Sequence, residues 1–295
     1  MSDATRTDVF EEHRSLLLGV AYRMLGRVSD AEDVVQDAWL RWSDGDRSDV
    51  REPRAFLVRV TARLAVDRLR RITARGETYV GPWLPEPYLT AFGDTTPDTA
   101  ERAVLADSVS LAVLVVLETL SPLERAVFVL REAFGFPHAE IAALLDRSEP
   151  AVRRLAARAR KHVAERRPRY DADPAHRRDL TERFLAAAAG GDLEGLLDLL
   201  APDARLIGDS GGRSRAPLRV LRGADHVARF LAGVAAKGVP DLTVRVLELN
   251  GGPAVLVLSG GRPDAVFQVD VADGRVRTVY LIRNPDKLRS LSDLG

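Results

Sequence analysis

Four short apolar runs near the C-terminus constrain the fold more than any other feature: Leu242–Leu249, Ala254–Leu258, Ala265–Val271 and Val276–Ile282. They are separated by NGGP, SGGRPD and ADGR, turn chemistry that folds consecutive strands back on one another as hairpins. The pattern predicts an antiparallel meander. Ahead of it, helical periods cover Leu180–Ala189, Leu193–Leu200 and Ala224–Ala235, and Arg205–Ile207 reads as extended. Helices followed by a meander make an α+β domain. Residues 1–169 have a different texture, with helical periodicity almost throughout, so the fold class is multidomain: all-α modules, then an α+β domain.

Charge is distributed unevenly over this frame. The chain of 295 residues carries 43 Lys or Arg against 43 Asp or Glu, a net charge of zero. Two helical stretches nevertheless concentrate cations. Pro53–Gly76 holds Arg54, Arg59, Arg63, Arg68, Arg70, Arg71 and Arg75 against Asp67. Arg147–Arg169 holds nine Arg or Lys against Glu149 and Glu165. A balanced chain with two basic helices has placed its charge where a polyanion lies.

In the first module, Leu16, Leu17, Val20, Ala21 and Met24 trace a helix over Val9–Leu25 that stops at Gly26. Ser29 with Glu32 three residues on reads as a capping box for a helix running to about Trp42. After the polar loop Ser43–Glu52, Pro53 opens a long helix with Phe56, Val60 and Leu64 on one face. Arg59 and Arg63 share another face, and Asp67 is placed to pair with Arg63 or Arg71.

The second module starts with an apolar helix, Asp107–Leu120, and a second capping box at Ser121–Glu124 that leads into a helix over Leu123–Phe134. HAEIAALLD, a turn at Arg147 and SEPAVRRLAARARKHV then read as helix, tight turn and helix. Val152, Leu155, Ala159 and Val163 form the inward face of the last helix, which sends Arg153, Arg154, Arg158 and Arg160 outward. This is a helix-turn-helix pattern. Glu149, Arg153 and Arg154, near the start of its second helix, are the residues expected at base edges, and Arg158 and Lys161 at phosphates. Arg166, Arg167 and Arg169 read as solvated tail charges.

Between the modules, residues 77–106 form a Pro-, Gly- and Thr-rich linker. GPWLPEPYL within it sets Trp83, Leu84 and Tyr88 among stiffening prolines, more apolar anchoring than a tether needs. Absence of Cys excludes disulfide scaffolds, thiol catalysis and thiolate zinc sites, and no two of the five His have a helical metal spacing, so no metal or cofactor is expected. The N-terminus is polar and no apolar run approaches a membrane span, which predicts a soluble, cytoplasmic protein without membrane contact.

DAEDVVQDAWLRW and PRAFLVRVTARLAVDRLRR resemble region 2 of the sigma-70 family in its extracytoplasmic-function branch, and the helix-turn-helix resembles region 4. The resemblance implies core RNA polymerase and promoter DNA as partners. It implies a polymerase-facing surface at Asp33, Val34, Gln36, Asp37 and Trp39, and a promoter-reading loop at Ser43–Glu52. Strand separation at the −10 element falls by the same resemblance to Arg54, Arg59, Arg63 and Arg70, with the −35 element read by the helix-turn-helix. The family usually carries Asn where Arg63 stands and Trp near Phe56, so the −10 preference of this chain is its own.

The C-terminal domain resembles the SnoaL-like, nuclear-transport-factor-like cone fold found as an extension in one group of these sigma factors. That group has a WLPEP motif, here Trp83, Leu84, Pro85, Glu86 and Pro87. It has a DGGG-type loop, here DSGGR with Asp209, Gly211 and Gly212, in which Ser210 departs from the usual Gly. An NPDKL motif, here Asn284, Pro285, Asp286, Lys287 and Leu288, follows the last strand. The implied organisation is region 2 at 7–76, linker at 77–106, region 4 at 107–168, the cone domain at 176–283 and a tail at 284–295. The implied function is promoter-specific initiation without catalysis of its own, regulated in cis by contact of the C-terminal domain with the sigma modules. Residues 176–295 hold seventeen Lys or Arg against fifteen Asp or Glu, so this restraint is not an acidic mimic of DNA. Trp83 and Leu84 are expected to pack on the cone domain or its tail. Phe230, Phe267 and Tyr280, with Asp209, Asp225 or Asp270, leave room for a small ligand in the cone. The competing reading is a helix-turn-helix regulator with a ligand-binding or vestigially enzymatic cone domain.

Overall fold

Gly26 ends the first helix in the left-handed region, at φ 69°, and the chain turns back at once into the second. The computed structural model describes residues 3–44, 50–75, 79–89, 110–166, 174–238 and 240–294. The chain divides into two units. Residues 1–77 and 113–167 belong to the first, and residues 78–91, 110–112 and 168–295 to the second.

The first unit begins with α1 (Asp3–Leu25), α2 (Val28–Ser43) and α3 (Pro53–Arg75). Leu17, Val20, Ala21 and Met24 of α1, Val34, Val35 and Ala38 of α2, and Leu57, Ala62 and Ala65 of α3 are buried between them. Trp42 closes one end, fully buried, its indole N–H donating to the Arg6 carbonyl at 2.9 Å. Two local expectations fail. No capping box forms at Ser29, because α2 already starts at Val28 with Arg27 as an uncapped N-cap. Asp30 is instead buried and paired with Arg68 at 2.5 Å. The buried stripe of α3 is also rotated from the Phe56, Val60, Leu64 face, of which only Leu64 is buried. Phe56 lies half-buried against Trp42, ring centroids 5.7 Å apart.

The unit continues with α4 (Leu111–Leu117) from Val113 on, α5 (Pro122–Phe128), a π-helical turn (Val129–Ala133), α6 (His138–Leu145) and α7 (Glu149–Arg166). The Ser121 box is present. Its hydroxyl accepts from Glu124 N at 3.4 Å, and the Glu124 carboxylate accepts from Ser121 N at 3.2 Å. The single helix expected over Leu123–Phe134 is α-helical only to Phe128, and the π turn keeps Val129 and Leu130 in the core. Asp146, at φ 55°, makes the tight turn between α6 and α7.

In the second unit α8 (Pro174–Gly190), α9 (Leu193–Leu199) and α10 (Ala224–Lys237) pack on one face of a six-stranded sheet of order β2-β1-β6-β5-β4-β3. The strands are β1 (Leu200–Asp209), β2 (Leu221–Arg222), β3 (Leu242–Leu249), β4 (Gly252–Ser259), β5 (Arg262–Ala272) and β6 (Arg275–Ile282). The last four form the expected antiparallel meander. Asn250–Gly251, Gly260–Gly261 and Asp273–Gly274 all hold positive φ at its turns, as two-residue hairpins require. Unexpected from sequence, β1 runs parallel to β6, with Leu206 opposite Val279, and this makes the sheet mixed. Leu180, Phe184, Leu196, Val227, Leu231, Leu206, Val279 and Leu281 are buried between helices and sheet.

Candidate functional site

Two constellations stand out, one in each unit. In the first, α7 buries Val152, Ala156, Ala159 and Val163, and Leu155 is only half-buried. Apolar contacts spaced three and four residues apart therefore leave Arg153, Arg154, Arg158, Arg160 and Lys161 in solvent, as their sequence positions predict. Several hold acids loosely: Arg153 meets Glu149 at 2.6 Å, Arg158 meets Glu124 at 3.0 Å, and Lys161 meets Glu165 at 4.0 Å. Hydrogen bonds from the Ser121 hydroxyl and backbone, then the Arg158 charge, hold the Glu124 carboxyl below the usual carboxylate range. Exposed pairs of this kind contribute little to stability, so exchanging carboxylate for phosphate costs little.

The cations of α3 divide differently. Arg54 and Arg59 are exposed, and Arg70 reaches Asp67 at 3.4 Å. Arg68 is taken by Asp30 and Asp33; the Asp30 hydrogen bond raises its already high pKa. Arg63 does not pair with Asp67. It donates to the carbonyls of Leu144 at 2.7 Å and Ala143 at 3.3 Å, at the C-terminal end of α6, where a cation suits both orphan carbonyls and helix dipole. Arg125, 2 % exposed, makes a similar tie that sequence reading missed, donating to Met24 O at 2.9 Å and Glu118 at 2.6 Å.

On α2, Asp33, Gln36 and Asp37 are exposed, and Trp39 is half-buried edge-on to Phe10 at 5.0 Å. Val34 is a correction. At 3 % exposure it belongs to the core and cannot contribute to an outward surface. Leu40, 57 % exposed, supplies an apolar group on that side which the sequence reading left out. Part of the loop Ser43–Glu52, residues 45–49, lies outside the described residues, as do linker residues 90–106 and tail charges Arg167 and Arg169.

The second constellation centres on Asp209, fully buried at the end of β1. Its carboxylate accepts from the Leu84 N–H at 2.7 Å, the Lys287 ammonium at 2.7 Å and the Tyr79 hydroxyl. Lys287, 2 % exposed, also donates to the Leu84 carbonyl and lies 4.1 Å from the centre of the Trp83 ring. Asn284 donates to the Tyr79 oxygen at 2.8 Å and accepts from Asp286 N at 3.0 Å, which caps the short 3-10 turn of Pro285–Lys287. Arg213 pairs with Asp286 at 2.8 Å. Gly211, at φ 56°, has no room for a side chain: a Cβ there would lie 2.5 Å from the Asn284 amide. Leu84 and Pro85 are buried, and Tyr88 exchanges hydrogen bonds with Asn250 at 3.2 and 2.9 Å. Three segments distant in sequence thus meet on one buried, fully partnered ion pair. A buried charge needs such partners, because desolvation otherwise outweighs attraction.

The cone carboxylates do not converge. Asp209 is occupied as described. Asp225 is exposed on α10 and bonded to Arg229 at 2.8 Å, which lowers its pKa. Asp270 is buried beside Thr181, Gln268 and Tyr280 in a pocket of about 170 Å³. Phe230 and Phe267 pack instead with the helix-side core, so they do not line a site with Tyr280. That pocket is smaller than the roughly 300–1,000 Å³ of ordinary small-molecule sites. Among the described residues no His or acid cluster is arranged for a metal, and no helix is long and apolar enough to cross a membrane.

Comparison with known proteins matches these elements to three families: Sigma-70 region 2 over residues 9–75, Sigma-70 region 4 over 110–163, and the SnoaL-like domain over 181–280. The chain is 42 % identical to the ECF RNA polymerase sigma factor SigJ of Mycobacterium tuberculosis, over 94 % of this chain and 91 % of that one. It is 32 % identical to the probable ECF sigma factor SigI of the same species, over 96 % and 95 %. The crystal structure of M. tuberculosis SigJ superposes with a TM-score of 0.76 at 37 % identity, covering 96 % of this chain and 98 % of that one. The three family matches follow one another along the chain, and both relatives align over nearly its whole length. The chain belongs to the extracytoplasmic-function sigma factors of the sigma-70 family, subunits that direct core RNA polymerase to promoters.

Proposed function

We propose that the C-terminal domain of this sigma factor governs promoter use in cis, through the clasp formed by Tyr79, Trp83, Leu84, Asp209, Asn284 and Lys287. The observation that carries this reading is the Lys287–Asp209 pair, buried at both ends and bonded to the WLPEP backbone through Leu84. The linker joining regions 2 and 4 is thereby anchored to the cone domain. Its length between the two DNA-binding modules becomes a property that the tail controls. Releasing Lys287 frees the linker; holding it fixes the linker.

In this reading Arg153 and Arg154, with Glu149, meet base edges of the −35 element, and Arg158 and Lys161 neutralise phosphates. Arg54, Arg59 and Arg70 hold the opened −10 strands, and Arg63 joins them after leaving the α6 carbonyls. Asp33, Gln36, Asp37 and Trp39, extended by Leu40, face core polymerase. The cone domain acts by protein contact, without chemistry or a bound small molecule, and the protein works in the cytoplasm. A regulator that binds duplex DNA alone gives no use to the region 2 match.

Run-off transcription with purified core polymerase tests this. The full chain, a chain ending at Arg283 and the Lys287→Met variant are compared on one promoter at equal core occupancy. The truncation and the variant are expected to change initiation in the same direction. Identical initiation by all three removes the regulatory role, and absence of core-dependent initiation by any of them removes the wider assignment.

A further inference from the structure

Of the seventeen Lys or Arg in residues 176–295, Arg213, Arg215, Arg219 and Arg222 fall within residues 210–222, and no Asp or Glu interrupts them. The rest of the cone domain is slightly acidic, so its surplus of positive charge sits in this segment. Arg213 is taken by Asp286. Arg215, Arg219 and Arg222 are exposed and form no ion pair among the described residues. Strand pairing brings in another cation: Arg222 of β2 stands directly opposite Arg205 of β1, which is also exposed. Ala204 and Leu206 belong to the helix-side core, so by alternation Arg205 and Arg222 project from the other face of the sheet.

Like charges directly opposed destabilise a strand pair. Among the described residues no acid offsets these two. Arg205 donates to the Thr278 hydroxyl at 3.2 Å, Asp203 pairs with neither Arg, and Asp225 is held by Arg229 at 2.8 Å. A charge on an edge strand keeps foreign strands away, which accounts for Arg222 alone. It does not account for a like charge set against it on the inner neighbour. The segment is also firmly seated. The Ser214 hydroxyl donates to the Arg283 carbonyl at 2.6 Å, and the Arg283 guanidinium donates to the Arg215 carbonyl at 2.9 Å. Pro217 lies over Gly208, where a Cβ would come within 2.9 Å of its ring. Gly223 N–H donates to Ala204 O at 2.7 Å and fixes the far end. The backbone that carries these cations is therefore ordered before any ligand arrives.

We infer that this face of the cone domain is a further DNA contact of the sigma factor, in which Arg205, Arg219 and Arg222 take phosphates of the promoter backbone. A phosphodiester between Arg205 and Arg222 removes the repulsion that the free protein carries, and guanidinium meets phosphate through paired, charge-assisted hydrogen bonds. An acidic protein surface fits less well. Protein interfaces set apolar groups at the centre and charge at the rim, whereas here opposed cations form the centre. Leu218, the strongly exposed apolar residue of the segment, lies beside Gly81 of the linker. Phosphate contacts position a protein without reading sequence, so this face adds grip and not promoter choice. Contacts weak by themselves count once other parts of the same chain hold the same DNA. The face is separate from the Asp209 clasp and needs no release of Lys287.

The test uses holoenzyme assembled from core polymerase and the full chain on a labelled promoter duplex. The salt dependence of the binding constant is measured for the unmodified chain, for Arg219→Gln combined with Arg222→Gln, and for Arg222→Lys. Two lost phosphate contacts are expected to lower the log–log slope by about two. The unmodified chain's advantage over the double variant then shrinks about tenfold between about 50 and 200 mM salt. Arg222→Lys keeps the charge and is expected to keep the slope. Because a like-charge pair is relieved, Arg222→Gln is expected to unfold in urea no earlier than the unmodified chain, which separates weaker binding from misfolding. Location is read by cross-linking. The chain has no Cys, so Arg219→Cys carries a photo-cross-linker at a single site. Lys237→Cys, at the far end of the 14-residue α10, is the control. DNA is expected to be labelled from position 219 and not from position 237. Equal salt slopes for the unmodified chain and the double variant overturn the proposal, as does equal labelling from the two positions. A cross-link from position 219 that reaches only a polymerase subunit also overturns it and assigns the face to an acidic protein surface.

Discussion

The helix α7 and the Asp209 clasp use the same side-chain chemistry to opposite ends. On α7, Arg153, Arg158 and Lys161 are 67–79 % exposed and their acidic partners are one neighbour among water. At the clasp, Lys287 and Asp209 are 3 % and 0 % exposed and every contact is made by protein. An exposed pair is cheap to exchange for another anion, and a buried one is not. The first arrangement suits reversible capture of a polyanion. The second suits holding a linker until an event large enough to open the site occurs.

The sharpest way to break this contrast is to remove one half of the buried pair. Lys287→Met is expected to destabilise the fold by about 3–5 kcal/mol in urea, because Asp209 stays buried without its cation. The double variant Asp209→Asn with Lys287→Met is expected to recover much of that loss, and equal melting of the wild type and single variant would show the pair to be no different from a surface one. Gly211→Ala is next. With positive φ and an Asn284 contact too close for a Cβ, it should cost about 1–3 kcal/mol and loosen the clasp, read as faster proteolysis between residues 79 and 89.

On the exposed side the effects belong to binding rather than folding. Arg154→Ala should weaken promoter binding by holoenzyme by about 1–3 kcal/mol and relax preference at one −35 position. Lys161→Ala should weaken all promoters alike and lower the salt slope by about one. Neither should move the denaturation midpoint by more than about 0.5 kcal/mol, and a large shift would mean that α7 resembles the clasp after all.

The smallest effect concerns Glu124. Its pKa in the folded chain is depressed, mainly by Ser121, so its contribution is present above the unfolded pKa and is lost as pH falls through the folded value. Ser121→Ala should cost about 1 kcal/mol at neutral pH and leave a flatter acid limb in a stability–pH profile.

What sequence could reveal follows from how local each feature is. Hairpin turns at Asn250, Gly260 and Asp273, the Ser121 box and the outward arginines of α7 depend on neighbours within four residues, and all of them are present. Val34 is placed outward only by the resemblance; its spacing with Val35 and Ala38 marks the apolar face of α2, and that face is the buried one. The Ser29 box is outweighed by burial of Val28 and the Asp30–Arg68 pair, a partner 38 residues away. Pairing of β1 with β6 joins residues more than seventy apart and leaves no periodic trace. The motifs WLPEP, DSGGR and NPDKL could be linked only by resemblance. That Asp209 and Lys287 are their meeting point, and Tyr79 a member, follows only from three dimensions.

The clasp also has a timing. Leu84 and Lys287, which bond directly, are 203 residues apart. At roughly 5–20 residues per second of synthesis, about 10–40 s pass between the emergence of one and the other. Region 2 is complete before that interval begins, and region 4 well within it. A nascent chain therefore carries both sigma regions before Lys287 exists to close the clasp, so the clasp forms last, on a chain whose helical modules are already made.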